Sequence, residues 1–504
     1  MITKRGATAR HAMRSAVAAA LVLLIGAVTV NVSYATGTPV PHASAADPTV
    51  TGPITGGTGA IGLYSTAFDL GQVGYQQSEY FLSGTAASYQ PVSPLTSVGN
   101  WSVAPADTAP YTTRMVVYRP QDPRRFNGTV VVEWLNVSGG LDIPATWIAA
   151  HNELIREGYA WVGISAQAAG VAAAKATDPV RYAALSHPGD SYSYDTYSQA
   201  GQAVRDNAST VLGGLHPRTV LGIGESQSAF RLTTYVDAVQ PLVHVYDGFL
   251  IYSRGGNGAP LSQAPQADVP DPAVVHIRTD LGVPVLAYET ETDLLTLGYL
   301  AARQPDSADF RDWEVAGTAH ADAYTAAGGF TDTGSGQGDV QAFDTMLNPP
   351  TTPNPAQPVV TCSTPINTGE MHYVVEGALH ALNQWTVTGI APTPAPRLAV
   401  TTTGSTPSFV LDANGNAEGG IRTPAVDVPV AALSGLGQTG TTFCFLFGTT
   451  VPFTAAKLAT LYPTHTQFVA QWTIDTAFDT LAGYIRPADA AKLVEAAANS
   501  TVGS

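Results

Sequence analysis

The chain has 504 residues, 45% of them hydrophobic and only 12% charged, with 49 glycines and 36 prolines. That composition excludes a disordered chain and describes a turn-rich globular one. The formal net charge of −16 at pH 7 argues against nucleic acid or an anionic membrane as a partner and favours solubility.

The first 14 residues, MITKRGATARHAMR, carry Lys4, Arg5, Arg10 and Arg14 and no acid. The apolar run SAVAAALVLLIGAVTV follows, too short and too rich in alanine and glycine for a convincing membrane span. These are the n-region and h-region of a secretory signal, with small-residue cleavage sites at Ser33-Tyr34-Ala35 or Ala43-Ser44-Ala45. An uncleaved anchor is the alternative. Residues 1–45 are therefore read as signal and lead-in, and 46–504 as one elaborated, secreted extracellular domain. Cleavage removes four cations and takes the net charge from −16 to about −20.

Residues 46–60 are rich in Gly, Pro and Thr and read as a mobile segment. Residues 75–118 alternate in strand fashion. TVVVEWLN, AWVGISA, TVLGIGES, VHVYDGFLIYS and VPVLAYE are nearly unbroken apolar runs, as strands buried on both faces are, and DWEVAG is a shorter final one. Between them lie helix patterns: DIPATWIAAHNELIRE closed by Gly158, YDTYSQAGQAVRDNASTVL, and AFRLTTYVDAVQ. This alternation predicts an α/β fold, a mostly parallel sheet covered by helices on both sides, with extra strands at its N-terminal end.

Residues 253–282 and 321–360 are too long for simple connections, which marks them as functional or mobile. EMHYVVEGALHALNQWTVTG reads as a further helix. The tail from Leu411 reads as a hairpin and C-terminal extension packed back on the core, with TTFCFLF strand-like. Cys362 and Cys444 are the two cysteines, and in an exported chain such a pair reads as a disulfide. It would close a loop of about 80 residues, stabilising by roughly 4 kcal/mol in the chain-entropy model. Nothing has the spacing of a metal site, so no metal or cofactor is expected.

The chemistry centres on GESQSAF. Ser226 stands where an apolar strand turns into a helix, lifted clear of the sheet beside a helix N-terminus. Gly224 supplies the small residue two before it. Ser228 replaces the glycine usual two after it, and a helix-capping serine would fit this stretch as well. The order of the chain separates these readings. An acid belongs after the strand VPVLAYE, where ETETDLL offers Glu289, Glu291 and Asp293. Asp293 is favoured because it lies past the strand end, with Glu291 as the alternative.

The base belongs after the last strand, where DWEVAGTAHAD places His320. His372, His380 and His465 follow no core strand and read as packing or surface residues. The backbone N–H groups of Gln227 and of Val137 or its neighbours are the oxyanion-hole candidates. Gly139 and Gly140 let the Val137 loop curl toward substrate or simply make a turn.

GESQSAFRL, VVVEWLNVSGG, HPGDSYSYDTYSQAGQAVR, VPVLAYETETDLL, WEVAGTAHAD and GGIRTPAVDVPVA together resemble the bacterial "alpha/beta hydrolase domain" family of secreted esterase-like serine hydrolases, from about residue 60 to about 490. The resemblance implies the α/β-hydrolase fold, Ser226, an acid in the 289–293 loop, His320 and a small-molecule ester substrate, but no particular substrate. Within HPGDSYSYD, Asp190, Tyr192 and Tyr194 are candidates for the site entrance, and a capped loop around Pro188-Gly189 is the alternative. The expected activity is carboxylic-ester hydrolysis through an acyl-enzyme. An amidase or peptidase using the same residues and a catalytically idle binding module are the alternatives.

Overall fold

A computed structural model describes residues 45–354 and 360–504. The proposed signal and both cleavage sites therefore fall outside the described residues, apart from Ala45.

Among the described residues, nine strands form one sheet in the order β1-β2-β3-β5-β4-β6-β7-β8-β9. The parallel block is β5 (Ala160–Ile164), β4 (Thr129–Trp134), β6 (Thr219–Glu225), β7 (Gly248–Tyr252), β8 (Val285–Thr290) and β9 (Phe310–Val315). The long hairpin of β2 (Tyr75–Pro91) and β3 (Val103–Pro120) joins it antiparallel through β5. The segment expected to be mobile instead supplies β1 (Thr49–Thr51), paired with β2. Just beyond it, the carbonyls of Ile54 and Gly56 accept hydrogen bonds from buried Arg181. The turn-forming residues of this stretch serve backbone pairing that its composition does not reveal.

The parallel strands are largely apolar because both faces are covered, with Glu133, Glu289, Asp312 and Glu314 as buried exceptions. In β4, Val130, Val132 and Trp134 face one core, with α2 (Ser193–Asp206) and α3 (Gln227–Thr234). Val131 faces the other, with α1 (Ala145–Glu157) and α4 (Met371–Thr388). Gly158 and Gly389 end α1 and α4 in the left-handed conformation, at φ 76° and 73°, which glycine adopts at no steric cost.

Glu133 interrupts the apolar run of β4 for a structural reason. Its buried carboxylate accepts from the N–H groups of Thr146 and Trp147 at the start of α1 and from the Trp161 indole. Burial still pushes its pKa up to about 8. Sheet and helix N-terminus are thereby tied on either side of the loop that carries Val137.

The long 321–360 segment contains an unanticipated helix, Gln337–Leu347, whose Phe343 and Met346 join a third core. The C-terminal extension supplies most of the rest of that core. It includes two small ribbons, an unanticipated hairpin Val400–Thr403 with Thr406–Phe409 and a second, Ala431–Ser434 with Thr449–Pro452. The segment expected to form a hairpin from Leu411 contributes an isolated antiparallel bridge, Leu411 to Ala417. The helices α5 (His465–Ala482) and α6 (Pro487–Asn499) complete it. Ile421 bridges to Val315, so the extension lies against the last strand of the sheet. Cys362 and Cys444 are disulfide-bonded. The stretch around Cys444 is a short 3-10 helix, Thr442–Leu446, and not a strand. Phe443 and Phe445 face outward while Cys444 faces in, an alternation that either geometry satisfies.

Candidate active site

The site forms at the C-terminal ends of β6, β8 and β9. Ser226 follows β6 directly, with φ 52° and ψ −120°, a conformation costly for a residue with a Cβ and retained where the surroundings over-determine it. Those surroundings are visible. The Ser226 N–H donates to the Tyr252 carbonyl at 3.1 Å, and its own carbonyl accepts from Phe230 N–H in α3.

Gly224 is required for contact: a Cβ there would lie 2.8 Å from the Ser228 carbonyl oxygen. Ser228 stands in ordinary helix, and its hydroxyl accepts from the Glu225 N–H (3.0 Å) and donates to the Glu225 carbonyl (2.8 Å). The departure from glycine thus adds a brace across the turn.

His320 lies in the loop after β9 and is 5% exposed. Its Nε2 is 2.8 Å from Ser226 Oγ, and its Nδ1 is 2.7 Å from Asp293 Oδ1. The second Asp293 oxygen accepts from both the N–H and the hydroxyl of Thr290, each at 2.7 Å, so the carboxylate is held from behind at the end of β8. The His320 N–H donates to Thr292 Oγ1, whose hydroxyl donates to the Gly435 carbonyl in the extension. Burial opposes the imidazolium, but Asp293, its hydrogen bond and Glu225 outweigh burial, and the His320 pKa is raised.

The other acids of ETETDLL do different work. Glu291 accepts from Gly317 N–H, Gly435 N–H and Ser434 Oγ, fastening the loop after β9 and the extension to β8. Burial, which outweighs these hydrogen bonds, pushes its pKa up to about 7. Glu289 is buried within the sheet, 4.0 Å from Arg254 Nε, and burial pushes its pKa well up.

The other histidines are elsewhere. His380 Nδ1 is 3.2 Å from Glu153 Oε1, and His465 meets the carbonyls of Val502 and Ala498. His372 is stacked on Tyr324 with ring centroids 3.6 Å apart. It lines a separate cavity of about 250 Å³, and burial pushes its pKa down to about 3.

The Val137 N–H donates to Gln227 Oε1 at 3.3 Å. The Gln227 side-chain amide in turn donates to Gln167 Oε1, which also accepts from the Trp134 indole. Gly140, at φ 75°, makes the turn that returns its N–H to the Val137 carbonyl.

The expectation that Asp190, Tyr192 and Tyr194 line an entrance gives way to a bracing role. Asp190 accepts from Ala168 N–H, Gln167 Nε2 and Arg231. Tyr194 is buried and donates to the Pro260 carbonyl, and the Tyr192 hydroxyl accepts from Gln266. These contacts join the start of α2 to the 253–282 loop and to α3.

A cavity of about 380 Å³ opens beside the imidazole. Its wall is largely apolar, with Ile148, Tyr252, Phe330, Met371 and Phe447, and Glu225 and His320 also border it. Glu225 escaped the sequence reading because the residue before Ser226 points wherever the strand end turns it. Its Oε2 accepts from Asn136 Nδ2 at 2.8 Å, and its Oε1 is 3.6 Å from His320 Nε2.

A nine-stranded, mostly parallel sheet with a serine on a sharp strand-to-helix turn defines an α/β-hydrolase. The family model described as "Alpha/beta hydrolase domain" matches residues 50–495, and the chain belongs to that family. No curated protein matches it.

Among solved structures it is similar to the CE15 glucuronoyl esterase of Teredinibacter turnerae T7901, at 13% identity and TM-score 0.26, over 55% of this chain and 76% of that one. The glucuronoyl esterase of Solibacter usitatus matches at 8% identity and TM-score 0.25, over 51% and 70%. An esterase of Rhizomucor miehei matches at 9% and 0.24, over 46% and 74%.

Proposed function

We propose that this hydrolase is a secreted serine esterase that cleaves small-molecule carboxylic esters through Ser226, His320 and Asp293. The hydrogen-bonded run from Asp293 Oδ1 through His320 to Ser226 Oγ, at 2.7 and 2.8 Å, carries the reading.

His320 Nε2 takes the Ser226 proton as Oγ attacks the ester carbonyl. Asp293 holds the tautomer with the proton on Nδ1 and stabilises the imidazolium that forms. The oxyanion is received by the Gln227 backbone N–H and by the Val137 N–H, from which the Gln227 side chain must withdraw. His320 then protonates the leaving alcohol. Water, activated by the same imidazole, releases the acid from the acyl-enzyme. Export is supported by the leader and by the Cys362–Cys444 disulfide, since disulfides persist in oxidising compartments.

Hydrolysis of a p-nitrophenyl ester series by wild type, Ser226→Ala and His320→Ala tests this. Wild type is expected to turn over and to label with a fluorophosphonate, both variants losing about six orders of magnitude in kcat while folded. Amide cleavage with silent esters would point to an amidase. Absence of both turnover and label would leave an idle binding fold.

A further inference from the structure

Apart from His320, Glu225 is the side chain lining the cavity, among the described residues, that can carry a full charge near neutral pH. It stands 3.6 Å from His320 Nε2, the atom that faces the nucleophile. Its hydrogen-bond partner is the neutral amide of Asn136, and among the described residues no lysine or arginine pairs with it. Any group that enters the cavity leaves water behind and meets this carboxyl across an apolar space.

On that basis, and resting on the serine-hydrolase reading above, we propose that Glu225 is a specificity-determining residue that excludes esters whose cavity-bound portion is anionic. The site then takes esters of neutral, apolar character. At a separation of about 5 Å in a partly desolvated site, repulsion between two unit charges is enough for a discrimination of about tenfold or more.

The exclusion depends on pH. Burial pushes the Glu225 pKa up to about 7, His320 and the Asn136 hydrogen bond pulling it back and Asp293 adding to the rise. Among the described residues, Tyr252 on β7 is a further titratable neighbour, and Tyr64 borders the same cavity. Below about pH 7 the carboxyl is neutral and tolerates an anion. As pH rises through that value it ionises and rejects one. His320 titrates in both substrates' profiles alike, because only the neutral imidazole is productive, so it cancels in a ratio of kcat/KM values.

The experiment uses pairs of esters that differ at one group, neutral in one member and anionic in the other. p-Nitrophenyl hexanoate is compared with the p-nitrophenyl half-ester of adipic acid, which places the charge on the acyl side. p-Carbamoylphenyl hexanoate is compared with p-carboxyphenyl hexanoate, which places it on the alcohol side. Between about pH 5.5 and about pH 9 all these charges are constant.

For at least one pair, the wild-type charged-to-neutral ratio of kcat/KM is expected to fall by about tenfold across that range. In Glu225→Gln it is expected to stay flat, near the wild-type low-pH value. A flat wild-type ratio for both pairs, or an equal fall in Glu225→Gln, overturns the proposal. Should Glu225→Gln not fold, Glu225→Ala takes its place with the same two outcomes, and a flat wild-type ratio overturns the proposal without any variant. A wild type that neither hydrolyses these esters nor labels with a fluorophosphonate overturns the hydrolase reading itself, an outcome distinct from an active enzyme with a flat ratio.

Discussion

His320 lies between two carboxyl groups whose surroundings differ. On its Nδ1 side, Asp293 is wholly buried, with one oxygen on the imidazole and the other held twice by Thr290. On its Nε2 side, Glu225 has a single neutral partner and borders a cavity. Hydrogen bonds from the surroundings stabilise a carboxylate and fix its direction. A desolvated carboxyl with few donors keeps a proton to higher pH. The same functional group, a carboxyl, thus stands as a fixed neighbour of the imidazole in the first region and as a titratable wall group in the second.

The largest effect that bears on this contrast belongs to Asp293→Asn. It keeps the shape but favours the wrong imidazole tautomer, so kcat is expected to fall by roughly 10³–10⁴-fold with little change in KM. Steady-state ester kinetics check this. A loss no larger than that of Glu225→Gln would erase the distinction between the two sides.

Glu291 sharpens it from another direction, being two residues from Asp293 yet turned toward backbone and a serine hydroxyl. Glu291→Ala leaves the buried N–H groups of Gly317 and Gly435 without their acceptor. It is expected to cost about 2–4 kcal/mol of stability in chemical denaturation, while the folded fraction keeps kcat within about tenfold. A loss like that of Asp293→Asn without destabilisation would give Glu291 a direct chemical role.

The smallest effect is a displacement of the pH profile. The base must be neutral, and the carboxyl neighbours of His320 raise its pKa. The acid limb of kcat/KM should therefore lie above about 6.5, the ordinary imidazole value, activity falling as pH falls through it. Glu225→Gln removes one anion from the Nε2 side and should move that limb to lower pH by less than about one unit.

Much of the frame was legible in the chain. Most of the parallel strands appear as apolar runs because burial on both faces leaves no polar alternation, with β9 (FRDWEV) the exception, and Gly158 and Gly389 mark helix ends by conformational need. The helix α5 was not legible. Its buried side includes Asp475 and Asp479 beside Phe468 and Trp472, so a hydrophobic period does not outline it. At the site, Ser226, the acid loop and His320 could be read in order. That Ser228 braces the turn, and that Asp190, Tyr192 and Tyr194 support the scaffold without lining the cavity, could not.

The sequence by itself determined the layers, the strand order of events along the chain and the small residue at 224, because patterning and backbone sterics are local. Which of three neighbouring acids meets the imidazole, and that Glu225 flanks its other nitrogen, were decided by tertiary structure. Those outcomes depend on where Thr290, Asn136 and the Gly317 and Gly435 amides stand, and residues 136, 317 and 435 are brought to the ends of β6, β8 and β9 only when the sheet closes and the extension docks.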